Sequence, residues 1–450
     1  MIYYFTFFSI ILLITFIGIG YHVSKGVNSG DNYFLADRKL GIASICMSLL
    51  ATQIGAGVIL GTSDFSYKYG IYGIFYSLGL SLGLIAISIF GAKQLREKNI
   101  STVAELFEKE YKSKFLRKVT SIISIISLYG ILISLIVGTR QLLIAFGIEN
   151  ELILYAFWIV LILYTVLGGL KAVVYTDVVQ IIFIFIVFIL ITAYYFFYKY
   201  KYIQFSVDNL FNCIVNKEKT LLAPYLIVPF LYVFIEQDMA QRFFSAKNSK
   251  TAYISAFLAG ILLLIFAFIP LIFGIAARSI KNIPAGSNEM IYFFINTSNS
   301  FIVSIVVLAV LCAIISTGDS LLCAITSNIS LDFKKKNSSI NLLHTRIITI
   351  FLGFSAIIIA NFCNNIIEVM LISYQIMVCT LFFPIVVSYF NFKKSKFLAY
   401  ISVFLGLIGF LIHPNLNGVM YVNISRELFC IFLSFFSFPL LYIYKRFISD

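Results

Sequence analysis

The sequence predicts an all-α polytopic membrane protein with about thirteen transmembrane helices, read as one membrane domain over residues 1–450. Three observations predict it. Hydrophobic residues make up 61% of the chain and charged residues 12%, with a mean hydropathy of +0.99, which is more apolar surface than a soluble core could enclose. Thirteen stretches have the roughly 20 apolar residues that a helix needs to cross about 30 Å of hydrocarbon. Most of the 33 Lys and Arg fall in alternate loops when the N-terminus is placed outside, a positive-inside bias rather than a nucleic-acid-binding surface.

The first apolar stretch, residues 2–22, has no basic residue before it and no small-residue cleavage site, so it reads as a retained helix entering from outside. Residues 1–40 hold this leading helix and a cytoplasmic loop. Spans at 41–63, 72–93, 119–146, 151–169 and 175–198 make a first set of five, within 41–198. Spans at 222–240, 252–277, 300–330, 345–362 and 366–390 make a second set, within 222–390. Two more, at 397–413 and 427–444, trail within 397–450 and leave the C-terminus cytoplasmic. The basic loop from Lys93 to Lys118 anchors this orientation, and the external connections near 199–221 and 278–299 are long enough for short helices.

Each set of five opens on an interrupted helix. Ser48 to Asp64 read SLLATQIGAGVILGTSD, where glycines at 55, 57 and 61 weaken the helix and admit close backbone approach. The matching segment, APYLIVPFLYVFIEQDMAQRFF from Ala223, carries Pro224 and Pro229 and then three polar residues, so glycine is expected to make one break and proline the other. Five plus five, each set beginning with a broken helix, is the pattern of an inverted-repeat core with broken first and sixth core helices, whose binding site lies near the midplane.

Chemistry-bearing residues are sparse. In IISTGDSLLCAITSN, residues 314–328, Ser316, Ser320, Cys323 and Ser327 share one helical face, with Asp319 beside it. Hydroxyl and carboxylate oxygens suit an alkali cation, although such hydroxyls also bond back to their own helix carbonyls. A carboxylate at this depth should face protein, water or an ion. Asp177, in GGLKAVVYTDVVQ, reads either as a helix N-cap or as a cation attractor at an inner vestibule. The seven cysteines show no metal spacing and read as packing residues, and the three histidines stand far apart. No convergent His, Cys or paired-carboxylate motif points to an enzyme, and no organic cofactor is expected.

GGLKAVVYTDVVQ and ISTGDSLLCAITSNISLDF closely resemble the two strong motifs of the sodium:solute symporter family. DNYFLADRKLG at 31–41 and EQDMAQRFFSAKN at 236–248 resemble its segments after the first helix and in the sixth core helix, so the resemblance covers about residues 30–390. It implies a leucine-transporter-like fold of ten core helices, preceded by one helix and followed by two. It implies a sodium site formed by the backbone carbonyls of Ala51, Ile54 and Ala313 with the hydroxyls of Ser316 and Thr317. A second cation site, used by some members, would fall on Asp177, Ser316, Asp319 and Ser320.

The function implied is sodium-coupled import of a small organic solute by alternating access, in an integral protein of the bacterial inner membrane. Solute groups are expected at Gln53, Gly55 and Gly57, at Glu236 and Gln237, and at Tyr374 and Gln375. Half-helix ends suit a carboxylate and Glu236 an ammonium, which favours an amino acid or similar zwitterion. Alternatives are proton coupling within the same fold, a choline or organic-cation symporter, and a membrane sensor on a transporter scaffold. The expected partners are the solute, the sodium ion and the lipid bilayer; the sequence leaves the oligomeric state open.

Overall fold

A computed structural model describes residues 1–203, 219–280, 283, 288–334, 340–363, 366–389, 394–416 and 426–439. Among these residues the secondary structure is helical. In chain order the helices are α1 (Ile2–Ser24), α2 (Gly30–Leu35), α3 (Ile42–Gln53), α4 (Thr62–Tyr69), α5 (Phe75–Ile87), α6 (Lys93–Glu97), α7 (Val103–Tyr111), α8 (Lys114–Ala145) and α9 (Glu151–Tyr198). They continue as α10 (Lys219–Tyr232), α11 (Gln237–Ser245), α12 (Ser249–Ala276), α13 (Glu289–Thr297), α14 (Ser300–Asp332), α15 (Leu342–Ala360), α16 (Ile366–Tyr389), α17 (Lys396–Leu416) and α18 (Arg426–Phe435).

Nine helical stretches among the described residues are long and apolar enough to cross a bilayer, against the thirteen spans expected. The difference has physical causes. The interrupted helices fall short on their own, with α3 at 12 residues and α10 at 14. Two other expected crossings lie either side of a kink at Gly169 within the single run of α9 and count there as one stretch. Part of the last expected span, 440–444, lies outside the described residues, as does most of the external connection at 204–218. Its counterpart before residue 300 does carry a short helix, α13.

Gly169 adopts φ +56° and ψ −147°, a conformation confined to glycine, and a Cβ there would stand 2.8 Å from the Tyr33 ring. The Tyr33 hydroxyl donates to the Thr165 carbonyl at 3.0 Å, so the loop after α1 is packed into this corner. Asp177 is not a cap. It lies fully buried inside the helical run that follows the kink, which corrects the capping reading.

Both breaks are present, made differently from each other. α3 ends at Gln53, Ile54 leaves the helix at ψ 61°, and a wide turn over Gly57–Gly61 leads into α4. Gly55 lies against α14, where a Cβ would stand 2.5 Å from Thr317 Oγ1. In the second half Pro224 and Pro229 lie inside α10, and the extended residue is Glu236 at ψ 122°. Past Pro229 the ladder tightens, and Phe234 and Ile235 donate to carbonyls only three residues back, at 3.3 and 3.0 Å. The expected proline break therefore falls several residues later, where this tightened turn runs out.

α14 lies at the centre of the bundle, with 78% of its most apolar window buried, and packs against α8, α9 and α3. α1 is peripheral, at 17%. One end of the bundle is closed by backbone acceptors. Leu40 and Ala246 pair as a short parallel bridge, Arg38 donates to the carbonyls of Phe244 and Ile100 at 3.1 and 3.0 Å, and Gln241 donates to that of Phe34 at 2.8 Å.

Candidate cation and solute sites

The hydroxyl face of α14 runs along both broken helices. Ser316 Oγ donates to the Ala51 carbonyl at 2.8 Å and Thr317 Oγ1 to the Thr52 carbonyl at 3.0 Å, while Ala313 O accepts from both, at 3.0 and 3.1 Å. Back-bonding to the helix and bonding across to α3 thus coexist. Four of the five residues expected to hold sodium, Ala51, Ala313, Ser316 and Thr317, meet in one buried cluster. Ile54 stands one step along at the helix exit, and the Thr52 carbonyl, not singled out in the sequence, occupies the position facing Thr317. All these donors are neutral oxygens, the ligand type an alkali cation takes.

Further along the same face the contacts pass to α11. Ser320 Oγ lies 3.1 Å from Thr52 Oγ1 and accepts from Arg242 Nη2 at 2.5 Å; Gln237 Nε2 reaches Ser327 Oγ at 3.3 Å. Asp319 accepts from Tyr164 at 2.5 Å and from Ser320 at 3.2 Å. Asp177 accepts from Ser48 at 2.5 Å and forms an ion pair with Arg242 at 3.0 Å, both partners fully buried. Arg242 was missed by sequence reasoning. Its signal was present, because an arginine four residues after Asp238 in an otherwise apolar span needs a buried acid partner.

The solute residues divide into two groups. Gln53 Nε2 donates to Glu236 Oε2 at 2.9 Å, joining the two breaks directly, and the fully buried Asp238 lies beside Glu236 with neither oxygen accepting from a donor side chain. A Cβ on Gly57 would stand 2.7 Å from the Tyr76 hydroxyl, and the rings of Tyr232 and Tyr374 meet edge to face at 4.4 Å. Gln53, Gly57, Glu236 and Tyr374 therefore border one polar and aromatic region, and Gly55 lies at its junction with the hydroxyl cluster. Gln237 and Gln375 bond elsewhere. Gln237 Oε1 accepts from the Val103 amide at 2.7 Å, and Gln375 is held by Glu427 at 2.7 Å and Arg426 at 3.1 Å on α18.

Several known transporters resemble the chain in sequence or in fold. The chain is 30% identical over 176 residues to the sodium/pantothenate symporter of Escherichia coli K12, covering 37% of this chain and 36% of that one. It is 29% identical to the sodium/glucose cotransporter of Vibrio parahaemolyticus, covering 37% of this chain and 32% of that one. It is 24% identical to a high-affinity choline transporter of Caenorhabditis elegans, covering 55% and 44%. The matched stretches thus span a third to under half of these relatives.

Among solved structures, a substrate-bound, outward-open Na+-coupled sialic acid symporter superposes with a TM-score of 0.76 at 17% identity, covering 96% of each chain. The closed form of Mhp1, a nucleobase-cation-symport-1 family transporter, superposes at 0.61 with 11% identity, covering 90% of this chain and 93% of that one. These likenesses establish a leucine-transporter-like fold. The family model of the sodium:solute symporters matches residues 33–406. On that match, and on the helical bundle that carries it, the chain belongs to the sodium:solute symporter family.

Proposed function

We propose that the protein is a sodium-coupled symporter that imports a small organic solute bearing a positively charged nitrogen, an amino acid or similar zwitterion. The observation that carries the sodium reading is the junction of α14 with the exit of α3, where two hydroxyls and three carbonyls converge. Rotation of the Ser316 and Thr317 hydroxyl protons away from Ala51 and Thr52 would turn these oxygens toward one cation. A sodium ion there would tie α14 to the broken helix and favour the outward-facing state, and rocking of one repeat against the other would deliver ion and solute inward. The ion's gradient drives the cycle, with about 2.3 kcal/mol added per charge for each 100 mV of membrane potential.

The positive nitrogen is inferred from Glu236 and Asp238, two buried carboxylates beside three tyrosines. A quaternary ammonium is the second reading, favoured by the ring pair Tyr232 and Tyr374, which offers cation–π faces. Uptake into proteoliposomes tests both, with labelled amino acids, organic cations, carboxylates and sugars, each with and without a sodium gradient. Sodium-driven accumulation of an amine-bearing solute is expected. Accumulation that follows a proton gradient and ignores sodium would overturn the coupling.

A further inference from the structure

Asp177, Ser316, Asp319 and Ser320, the four residues grouped as a second cation site, have a cation in their midst that belongs to the chain. Arg242 Nη2 is 3.0 Å from Asp177 Oδ2 and 2.5 Å from Ser320 Oγ; Nε donates to Ser48 Oγ at 2.7 Å, and Nη1 to the Asp238 carbonyl at 2.8 Å. All three guanidinium nitrogens are therefore bonded, to groups on α3, α9, α11 and α14. Every side chain in this set is fully buried or 1% exposed. Arg242 is also the one basic side chain that the described residues bury completely.

A guanidinium keeps its proton inside a protein, so this charge is permanent. Removing either member of a buried ion pair leaves the other uncompensated, which is strongly destabilising. A sodium ion entering here would have to displace Nη2 from Asp177 and Ser320 together. Asp319 is the remaining carboxylate of the four residues, one helical turn from Ser316, and supplies one negative charge beside a main site built from neutral oxygens.

We infer that the chain binds a single sodium ion and that Arg242 is a tethered second cation, filling the place a second ion would take. The inference rests on the sodium reading proposed above. Its test needs no knowledge of the solute, since the probe is sodium alone: equilibrium dialysis of the purified full chain against radioactive sodium.

One ion per chain is expected, with affinity weakened by Thr317→Ala. Arg242→Gln frees the carboxylate of Asp177, whose second oxygen already lacks a hydrogen-bond partner, and should bind two ions per chain. Arg242→Lys keeps the charge and should bind one. Two saturable ions on the unaltered chain would overturn the inference while leaving the sodium reading intact. No bound ion at all would overturn both. A folded Arg242→Gln chain, verified by size-exclusion elution, that still binds one ion would refute the tethered role; if that variant does not fold, the count on the unaltered chain decides.

Discussion

Replacing Thr317 with alanine removes one oxygen from the proposed sodium cluster and leaves the apolar surface of α14 nearly unchanged. In the structure that oxygen shares one hydrogen between the carbonyls of Thr52 and Ala313, at 3.0 and 3.1 Å. A neutral arrangement of this kind contributes about 1 kcal/mol net, whereas an oxygen facing a charge contributes about 1.5–3 kcal/mol. The difference, about 0.5–2 kcal/mol, corresponds to roughly 2- to 30-fold weaker sodium binding. Thermal unfolding of the purified protein, titrated with sodium chloride against potassium chloride at constant ionic strength, reads this directly, because an ion at concentration c that binds only the folded state stabilises it by RT ln(1 + c/Kd), so a weaker site needs more sodium for the same rise in Tm. Thr317→Ser retains the hydroxyl and should titrate close to the parent. An identical dependence of Tm on sodium concentration for parent, serine and alanine forms would refute the placement of the ion.

Gly55→Ala should destabilise the fold by about 1–3 kcal/mol and weaken sodium binding as well, because its Cβ would press on Thr317 Oγ1 at 2.5 Å; Tm and the same sodium titration test it. Gly169→Ala should cost at least about 1–3 kcal/mol, from the left-handed φ together with a Cβ pressed on Tyr33, seen as a lower Tm with the sodium dependence unchanged. Glu236→Gln should reduce solute uptake through KM while sodium binding persists, and equal loss of both would place Glu236 in the ion site instead. Burial alone would raise the Glu110 carboxyl, but its ion pairs with Lys98 and Lys394 outweigh that and hold it below the ordinary value. A depressed folded-state value means its contribution is full above the ordinary glutamate range, about pH 4–5, and fades as pH falls through the lower folded value. The Tm gap between the parent and Glu110→Gln should therefore close in acid, and a gap independent of pH would refute the pairing.

Long apolar runs made the helices legible, since hydrocarbon leaves no alternative for twenty such residues. Gly55 marked the first break because glycine both weakens a helix and admits a neighbour. The second break lies at Glu236 rather than at Pro229 because a proline removes only the bond to the carbonyl four residues before it, and the helix resumes past it until the tightened turn at Phe234 and Ile235. Ser316 was legible because its spacing with Ser320 and Ser327 fixes one face of one helix, whereas Thr317 was legible only through the resemblance to the family motif. Gln375 was not, because a helix that is apolar all round does not show which way its rare polar residues point, and Gln237 was not, because it opens a short polar helix whose partners, Val103 and Ser327, come from distant segments. Arg242 escaped for a related reason, as its partners Asp177, Ser48 and Ser320 come from three separate helices and meet only after folding.

The closed end of the bundle rests on an unequal division of chemistry. Arg38, Arg96 and Gln241 supply side-chain donors, and the acceptors that join the loops after α1, α6 and α11, on Phe244, Ile100, Ala246 and Phe34, are main-chain carbonyls, while Asn99 and Cys323 add side-chain acceptors to Arg96 and Gln241. A carbonyl is present whatever residue occupies the position. Sequence drift on the receiving side therefore leaves the latch intact, while its strength is concentrated in three side chains. Variation that retunes how readily this end opens should accumulate at those three positions, and substitutions among the acceptors should pass almost unnoticed unless they shift the backbone itself.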